Sequence, residues 1–458
     1  MMLWTAEALQ AATGGTLAAG AGVTGVSIDS RNVAPGELFV ALHDVRDGHD
    51  FAADALARGA AVAMVDRDPP GLAADAPLLR VADTLAGLTA LGAAGRARTA
   101  ARVAAVTGSV GKTGTKEMLR LLLAGFGKTH AAVASYNNHW GVPLTLARMP
   151  ADSAFAVIEI GMNNPGEIAP LARLAQPHVV AITMVGEAHI GHLGGLACIA
   201  EEKGSIVLGL LPGGTAVLPR DTPFFPRLAE LARQAGAGRI LGFGRDPAAE
   251  IRLLDAAIGV DGRTRVDIAV LGTPVTLRMP AMGLHHAENA CCALAVVAGL
   301  GLDAVRAAPA LAAYAPGAGR GAPRDIPVAG GSALLIDESY NAAPPAMQAA
   351  LATLAQRPGT RRIAVLGDMR ELGAFSAALH AGLAPAAAKA DLVFCCGPEM
   401  ARLFALLPEA KRGAHAADSA ALAPLVRAAL RPGDIVLVKG ALGSRMAVLV
   451  RALTESSS

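Results

Sequence analysis

A chain of 458 residues is too long for one hydrophobic core, so two to four domains are expected. Its 40 basic and 38 acidic residues leave a net charge of +2, which gives no support to nucleic-acid binding, usually visible as a basic excess on some domain. Hydrophobic residues make up 53% of the chain, but much of that is alanine. The longest uncharged stretch, Ala8 to Ile28, is broken by five glycines, and no other run reaches the roughly 18 to 20 apolar residues of a spanning helix, so membrane insertion is not expected. Residues Met1 to Glu7 lack the basic region and apolar core of a signal peptide. Of five cysteines, Cys291-Cys292 and Cys395-Cys396 are adjacent pairs inside apolar runs and Cys198 stands alone. This is not zinc spacing, and buried reduced thiols in a cytoplasmic protein are the expectation.

In chain order, residues 1–82 read as a small α/β domain. Strands are expected at Gly25–Asp29, at Leu38–Ala41 after the Pro35-Gly36 turn and at Ala61–Asp66, with a helix at Phe51–Arg58 closed by Gly59. A connecting helix follows at Asp83–Thr99. Residues 83–313 alternate apolar runs with helical patterns, the mark of a mostly parallel sheet. Strands are expected at Val103–Val106, Phe155–Ile160 and Val179–Met184. A β-rich patch at Ile251–Met279, with a hairpin turn at Asp261-Gly262, precedes the apolar helix Ala287–Leu300. After Pro316-Gly-Ala-Gly319, residues 314–458 repeat the alternation in a Rossmann-like pattern. Four strands are expected at Ala333–Ile336, Ile363–Leu366, Leu392–Cys395 and Ile435–Val438, with helices such as Ala346–Gln356 and Ser376–Ala390. None of those strands runs into G-x-G-x-x-G, so a dinucleotide site is not indicated. The fold class is therefore α/β in three domains, the central one of P-loop ATPase type.

The central segment carries the strongest motif, Thr107-Gly108-Ser109-Val110-Gly111-Lys112-Thr113. It lies between the apolar run Ala104–Val106 and a helical stretch at Lys116–Leu123. A strand turning through glycines into a helix start aims several N–H groups and the helix dipole at one point, where a phosphate can sit. Lys112 would face the outer phosphates and the Thr113 hydroxyl a Mg²⁺ ion. The match to a Walker A loop is incomplete, since Val106 stands where its first glycine would be. An ordinary glycine-rich turn with an exposed lysine is the competing reading.

Glu159 ends an otherwise apolar strand, where a carboxylate is costly unless paired or bound to a cation. His189 follows the strand Val179–Met184. Thr113, Glu159 and His189 thus share the carboxyl ends of neighbouring strands, where open α/β sheets bind ligands. Oxygen ligands with one imidazole suit Mg²⁺ or Mn²⁺ at a phosphate site. Lys203, in Glu201-Glu-Lys-Gly-Ser205, reads by itself as a solvated helix residue. Arg320, after the glycines of the second junction, could reach a γ-phosphate from another domain. Asp337, Tyr340 and Asn341 follow the first strand of the third segment, where they could touch a ribose, a base or a second substrate.

Taken together, the motifs resemble the Mur ligase family along nearly the whole chain. Asp29-Ser30-Arg31, Pro35-Gly-Glu-Leu-Phe39 and Asp47-Gly-His-Asp-Phe51 look like its uridine-nucleotide domain. Thr107–Thr113 with Lys116-Glu117, Asn137-Asn138 with Gly141–Leu144, and Glu159–Met162 with Pro165–Ile168 fit its ATPase domain. Asp337–Asn341, Leu366-Gly-Asp-Met-Arg-Glu-Leu-Gly373, Lys439-Gly440 and Ser444–Met446 fit its dipeptide-adding branch. The resemblance implies ATP-dependent addition of D-alanyl-D-alanine to UDP-MurNAc-tripeptide through an acyl phosphate and a tetrahedral intermediate, with release of ADP and phosphate. It further implies ATP and two Mg²⁺ sites, with Thr113 at one and Glu159 and His189 at the second. It aligns Lys203 with a lysine carbamylated by CO₂, Asn289 and Asp337 with residues near adenine and ribose, and Arg320 with an arginine on the phosphates. Ser30, Arg31, Asn137 and Asn138 match substrate-binding positions. A monomer closing its third domain on its second is expected.

Four positions depart from the pattern: His286 in Gly283-Leu-His-His286 replaces an asparagine, Ala343 an amide, Ala441 a serine, and Leu42-His-Asp-Val-Arg46 lacks a usual glycine. None touches the phosphate and metal residues. The alternatives are a third-residue-adding ligase, a folylpolyglutamate synthetase, a P-loop module without ligase activity, and a lapsed paralogue. The absence of Asp-Asn-Pro-Arg and of Asn-Lys-x-Asp speaks against the first and third. Retention of Lys112, Glu159, His189 and Lys203 speaks against the last.

Overall fold

Three sheets organise the chain in the computed structural model, which describes residues 2–17, 22–73, 75–259, 261–281, 283–357 and 361–455. Part of the Ala8–Ile28 stretch, residues 18–21, lies outside them. The first sheet holds β1 (Thr16–Leu17), β2 (Val26–Ser27), β3 (Leu38–Val40), β4 (Val62–Val65) and β5 (Leu78–Arg80) in the order β1-β5-β4-β3-β2. Only β1 runs antiparallel. A helix at Thr84–Ala97, capped by the Asp83 side chain, leads out of it.

The central sheet has nine strands: β6 (Arg102–Thr107), β7 (Thr129–Ala131), β8 (Phe155–Glu159), β9 (Val179–Ile182), β10 (Thr215–Pro219), β11 (Arg239–Gly244), β12 (Ile251–Ile258), β13 (Thr264–Val270) and β14 (Thr273–Met279). Their order is β14-β13-β12-β11-β10-β9-β6-β8-β7, with β6 to β12 parallel and β13 and β14 antiparallel. Gly262, at φ 77°, makes the expected turn between β12 and β13. Every residue of β8 and β9 is buried, because a parallel sheet is covered on both faces. Ala104 and Val106 pack with Met118, Leu119 and the helix Leu284–Gly299 on one face; Val103 and Ala105 pack with Ile158 and Val180 on the other. The chain leaves β6 toward β7 and β8 on one side and returns to β9 on the other, so β6 lies at a topological switch point.

The third sheet orders β15 (Ala322–Val328), β16 (Gly331–Glu338), β17 (Arg361–Gly367), β18 (Leu392–Cys396), β19 (Arg412–Ala416) and β20 (Asp434–Lys439) as β15-β16-β20-β17-β18-β19. It has two strands more than the four expected. β15 carries Pro323 and Pro327, which argue against a strand, yet it is an antiparallel edge where a missing N–H can face solvent. The expected helix Ser376–Ala390 is two short helices, Ser376–Ala381 and Ala384–Ala387, parted at Gly382 with Pro385 opening the second. Among the cysteines, Cys198 is exposed rather than buried; the two adjacent pairs are buried free thiols, as expected. Burial pushes the Cys396 thiol up to about 12. Among the described residues no helix is long and apolar enough to cross a membrane.

Candidate active site

The glycine-rich loop leaves β6 and enters the helix Lys112–Ala124 through Gly111, whose φ of 87° and position against the Asn289 amide leave no room for a Cβ. Gly108, at φ 148°, is pressed as closely against Thr183. The loop is fastened from beneath by the segment after β9. The Thr183 hydroxyl lies 3.2 Å from the Thr107 carbonyl and 2.5 Å from that of Val110, and the Ser109 hydroxyl donates to the Gly186 carbonyl at 2.8 Å. Ser109 also donates its N–H to the Met184 carbonyl at 2.9 Å, so this residue shapes the loop through both of its donors. The first turn of the helix has no acidic residue, leaving its positive end open to an anion.

Lys112 folds back and donates to the Gly108 carbonyl at 2.6 Å. Burial pushes its ammonium pKa down, Glu159 offsets this in part, and Arg320 adds to the depression. The Thr113 hydroxyl donates to Glu159 Oε1 at 3.1 Å and meets the Ser135 hydroxyl at 3.1 Å. Asn137 donates to the same Glu159 oxygen at 2.7 Å. Glu159 is 1% exposed, and its Oε2 has no hydrogen-bond partner among the described residues. A buried carboxylate oxygen left over beside a P-loop threonine fits a Mg²⁺ ion, a hard cation that takes carboxylate and hydroxyl oxygen.

Lys203 is 1% exposed on the helix Leu196–Gly204, which overturns its reading as a solvated residue. Its Nζ makes no hydrogen bond or ion pair with any described residue. Burial first, and the Lys112 charge second, push its pKa well down, so the amine is held toward its neutral form. His189, at φ 62°, faces the Glu371 carboxylate through Nδ1 at ion-pair distance but without hydrogen-bond alignment. This contact, a larger effect than burial, lowers the Glu371 carboxyl pKa.

These groups open on a cleft of about 590 Å³ between the central and third sheets. Of the predicted residues, Ser109, Val110, Gly111, Lys112, Thr113, Asn137, Asn138, Glu159, His189, Asn289, Arg320 and Asn341 line it. Thr107 and Gly108 lie beneath the loop, Lys203 and Asp337 are not part of the lining, and Ser30 and Arg31 belong to the first sheet's domain. Asp29 accepts the Arg31 guanidinium through both oxygens, at 2.9 and 2.8 Å. Arg320 donates to Ser135 at 2.8 Å and lies 4.0 Å from the Tyr340 ring centroid. Asp337 accepts the Ser339 N–H at 3.1 Å.

Sequence reasoning assigned no role to several residues here. Ser135 joins Thr113 to Arg320 from a loop that carries no motif. Glu371 stood inside the Leu366–Gly373 motif, but its contact with His189 is tertiary. Lys439 donates to Glu338 Oε2 at 2.7 Å and to the Asn341 carbonyl at 3.1 Å. Burial would raise the Glu338 carboxyl, but the charges of Lys439 and His285 together with the Lys439 hydrogen bond outweigh it and hold the pKa down. The His286 and His285 rings lie with centroids 4.0 Å apart and planes tilted by 42°, and neither buried ring nitrogen of His286 has a partner among the described residues.

The chain matches the family models described as Mur ligase family, catalytic domain (residues 22–95), Mur ligase middle domain (106–297), and Mur ligase, glutamate ligase domain (327–442). It is 35% identical over 450 residues to the UDP-N-acetylmuramoyl-tripeptide–D-alanyl-D-alanine ligase of Escherichia coli, covering 94% of each chain. Its identity to that of Synechocystis is 34% over 443 residues, covering 94% of this chain and 92% of the relative. Among solved structures, MurF of Acinetobacter baumannii superposes with a TM-score of 0.85 at 31% identity over 99% of both chains. The ADP complex of Thermotoga maritima MurF has a TM-score of 0.79 at 27% identity, covering 94% of this chain and 97% of that one.

Proposed function

The chain belongs to the Mur ligase family, and on that premise we propose the roles its residues play. It is an ATP-dependent amide ligase of peptidoglycan precursor synthesis, joining D-alanyl-D-alanine to UDP-MurNAc-tripeptide. The observation that carries the residue assignment is the convergence of Lys112, Thr113, Glu159 and His189 with Arg320 on one cleft walled by the third sheet's Asn341, Glu371 and Lys439. Residues 1–82 hold the uridine nucleotide, with Ser30 and Arg31 among the contacts. Residues 83–313 hold ATP, and residues 314–458 bring the dipeptide.

The chemistry asks for positioning and charge neutralisation. A tripeptide carboxylate oxygen bonds to the γ-phosphorus as the β–γ bridging bond breaks and ADP leaves. The dipeptide amine then adds to the acyl carbon, loses a proton, and phosphate departs with the carbon–oxygen bond. Lys112 and Arg320 face the phosphates, with Arg320 held in place by Ser135 and Tyr340. Asn289 lies over the loop on the base side, and Asp337 and Asn341 lie on the ribose side. Asn137 fixes one oxygen of Glu159 so that the other faces the site, with Asn138 beside it in the cleft wall. Thr113 would hold one Mg²⁺, and Glu159 and His189 a second, and these ions would supply Lewis-acid neutralisation of the phosphoryl oxygens. Lys203, buried and held toward the neutral amine, is suited to take up CO₂ and lose a proton, giving a carbamate that adds an anionic ligand to that set. The protein works as a cytoplasmic monomer.

Phosphate release with ATP, Mg²⁺ and UDP-MurNAc-tripeptide tests this. Release that depends on D-alanyl-D-alanine, with a pentapeptide product by mass, is expected. Release with single amino acids in its place, or none with the dipeptide, contradicts it.

A further inference from the structure

His189 and Glu371 meet where two domains join. His189 follows β9 of the central sheet, Glu371 follows β17 of the third, and both line the cleft. The two backbones touch at this point. The Gly191 N–H donates to the Glu371 carbonyl at 3.0 Å, and a Cβ on Gly191 would stand 2.5 Å from the Gly373 nitrogen and 2.8 Å from the Glu371 oxygen. Five non-glycine residues have positive φ among the described residues, and two of them are His189 at 62° and Glu371 at 64°. Such backbone persists only where the surroundings over-determine it, and it concentrates at functional sites.

The contact gives the two ring nitrogens of His189 different surroundings. Nδ1 is buried and faces the Glu371 carboxylate at ion-pair distance, off the line of the ring N–H. Among the described residues Glu371 has no other side-chain partner, and His189 Nε2 has no hydrogen bond or ion pair. A carboxylate only accepts, so the contact suits a proton on Nδ1 and leaves the ring's lone pair on Nε2. Nε2 is thus the nitrogen free to ligate a cation. A carboxylate on the remote nitrogen is the common support of a metal-bound histidine, fixing its tautomer and its orientation.

We propose that Glu371 is the positioning residue of His189, holding the ring by Nδ1 so that Nε2 faces the metal shared with Glu159. This rests on the reading of His189 as a metal ligand. Because Glu371 comes from the third domain, that metal site is complete only when the third domain is seated on the central one. Metal binding and domain seating then strengthen each other by the same factor. An interdomain ion pair without this role would hold the domains together and leave metal affinity unchanged.

The test uses Mn²⁺, which takes Mg²⁺-type oxygen ligands together with imidazole and is visible in electron paramagnetic resonance. Full-length protein saturated with ADP is titrated with Mn²⁺, and spin-echo modulation reports a directly bound imidazole nitrogen. Wild type is expected to show that modulation and His189→Ala to lack it. Glu371→Ala should bind the nitrogen-ligated ion about tenfold or more weakly, and Glu371→Gln, whose amide oxygen still accepts, should fall between. The double variant His189→Ala/Glu371→Ala should bind Mn²⁺ no more weakly than His189→Ala alone, because Glu371 acts through the ring. Unchanged ADP affinity in each variant checks that the central domain is folded. Wild-type affinity and modulation in Glu371→Ala, or a double variant whose losses add, would overturn the proposal and leave His189 a ligand. Mn²⁺ binding that His189→Ala does not alter would remove the ligand reading itself, and the proposal with it.

Discussion

The strand ends of the nine-stranded sheet and those of the six-stranded sheet face the same cleft but treat buried polar groups differently. At β8 the buried Glu159 carboxylate keeps one oxygen without a partner among the described residues. At β16 and β20 the buried Glu338 and Lys439 close on each other at 2.7 Å, and Asn341 takes a further Lys439 donor. At β17 the buried Asp368 accepts the Met400 N–H at 2.8 Å. Satisfied groups hold a shape. Unsatisfied ones cost the folded state free energy and are retained where a ligand completes them. This difference fits the proposed division, with the chemistry at the central sheet and positioning at the third.

Substitutions can break this contrast. The largest effect is expected for Lys112→Ala, which removes the charge aimed at the phosphates. Turnover should fall on the order of 10³-fold or more with little change in melting temperature. Lys203→Ala follows, with turnover down about 100-fold and partly restored by short-chain carboxylates; a wild-type rate without rescue rules out the carbamate. On the other side of the contrast, Glu338→Gln leaves Lys439 buried without a counter-charge. It should lower unfolding free energy by about 3 kcal/mol in chemical denaturation, through stability rather than through the chemical step.

The smallest effect belongs to the exposed pair in the first sheet's domain. The hydrogen bond from Arg31, the largest influence, lowers the Asp29 carboxyl from 3.8 to about 2. The folded pKa lies below the unfolded one, so the contribution is present above pH 4 and is lost as pH falls through 2. The stability difference between wild type and Arg31→Met should therefore be small near pH 5 and shrink between pH 4 and 2. A difference that grows in that window contradicts the pairing.

Much of this was legible because the signals are local. The glycines of Thr107–Thr113, the apolar runs of β6, β8 and β9, and a glutamate ending an apolar strand each carry their meaning within a few residues. The β19 strand, Arg412-Gly-Ala-His-Ala416, has no apolar run because it is an edge with one half-exposed face. The β15 strand is masked by prolines that only an edge tolerates. Lys116 and Lys203 look alike in sequence, and both are fully buried. Lys116 reaches the Ala132 and Ala134 carbonyls at 2.6 and 3.2 Å and pairs with Glu117 at 3.0 Å, whereas Lys203 has no side-chain hydrogen bond or ion pair among the described residues. Partners brought from a distance decide which of the two is structural. For the same reason the roles of Ser135 and of Glu371 opposite His189 could not be read before the chain was folded.

The most direct test of the contrast is to measure turnover and unfolding free energy together in Glu159→Gln. The amide keeps the size of the side chain and removes the buried charge with its spare oxygen. Turnover should drop on the order of 10³-fold while stability stays equal to wild type or rises. Near-normal turnover with reduced stability would mean that Glu159 is a structural residue, and that the chemistry does not lie at this strand end.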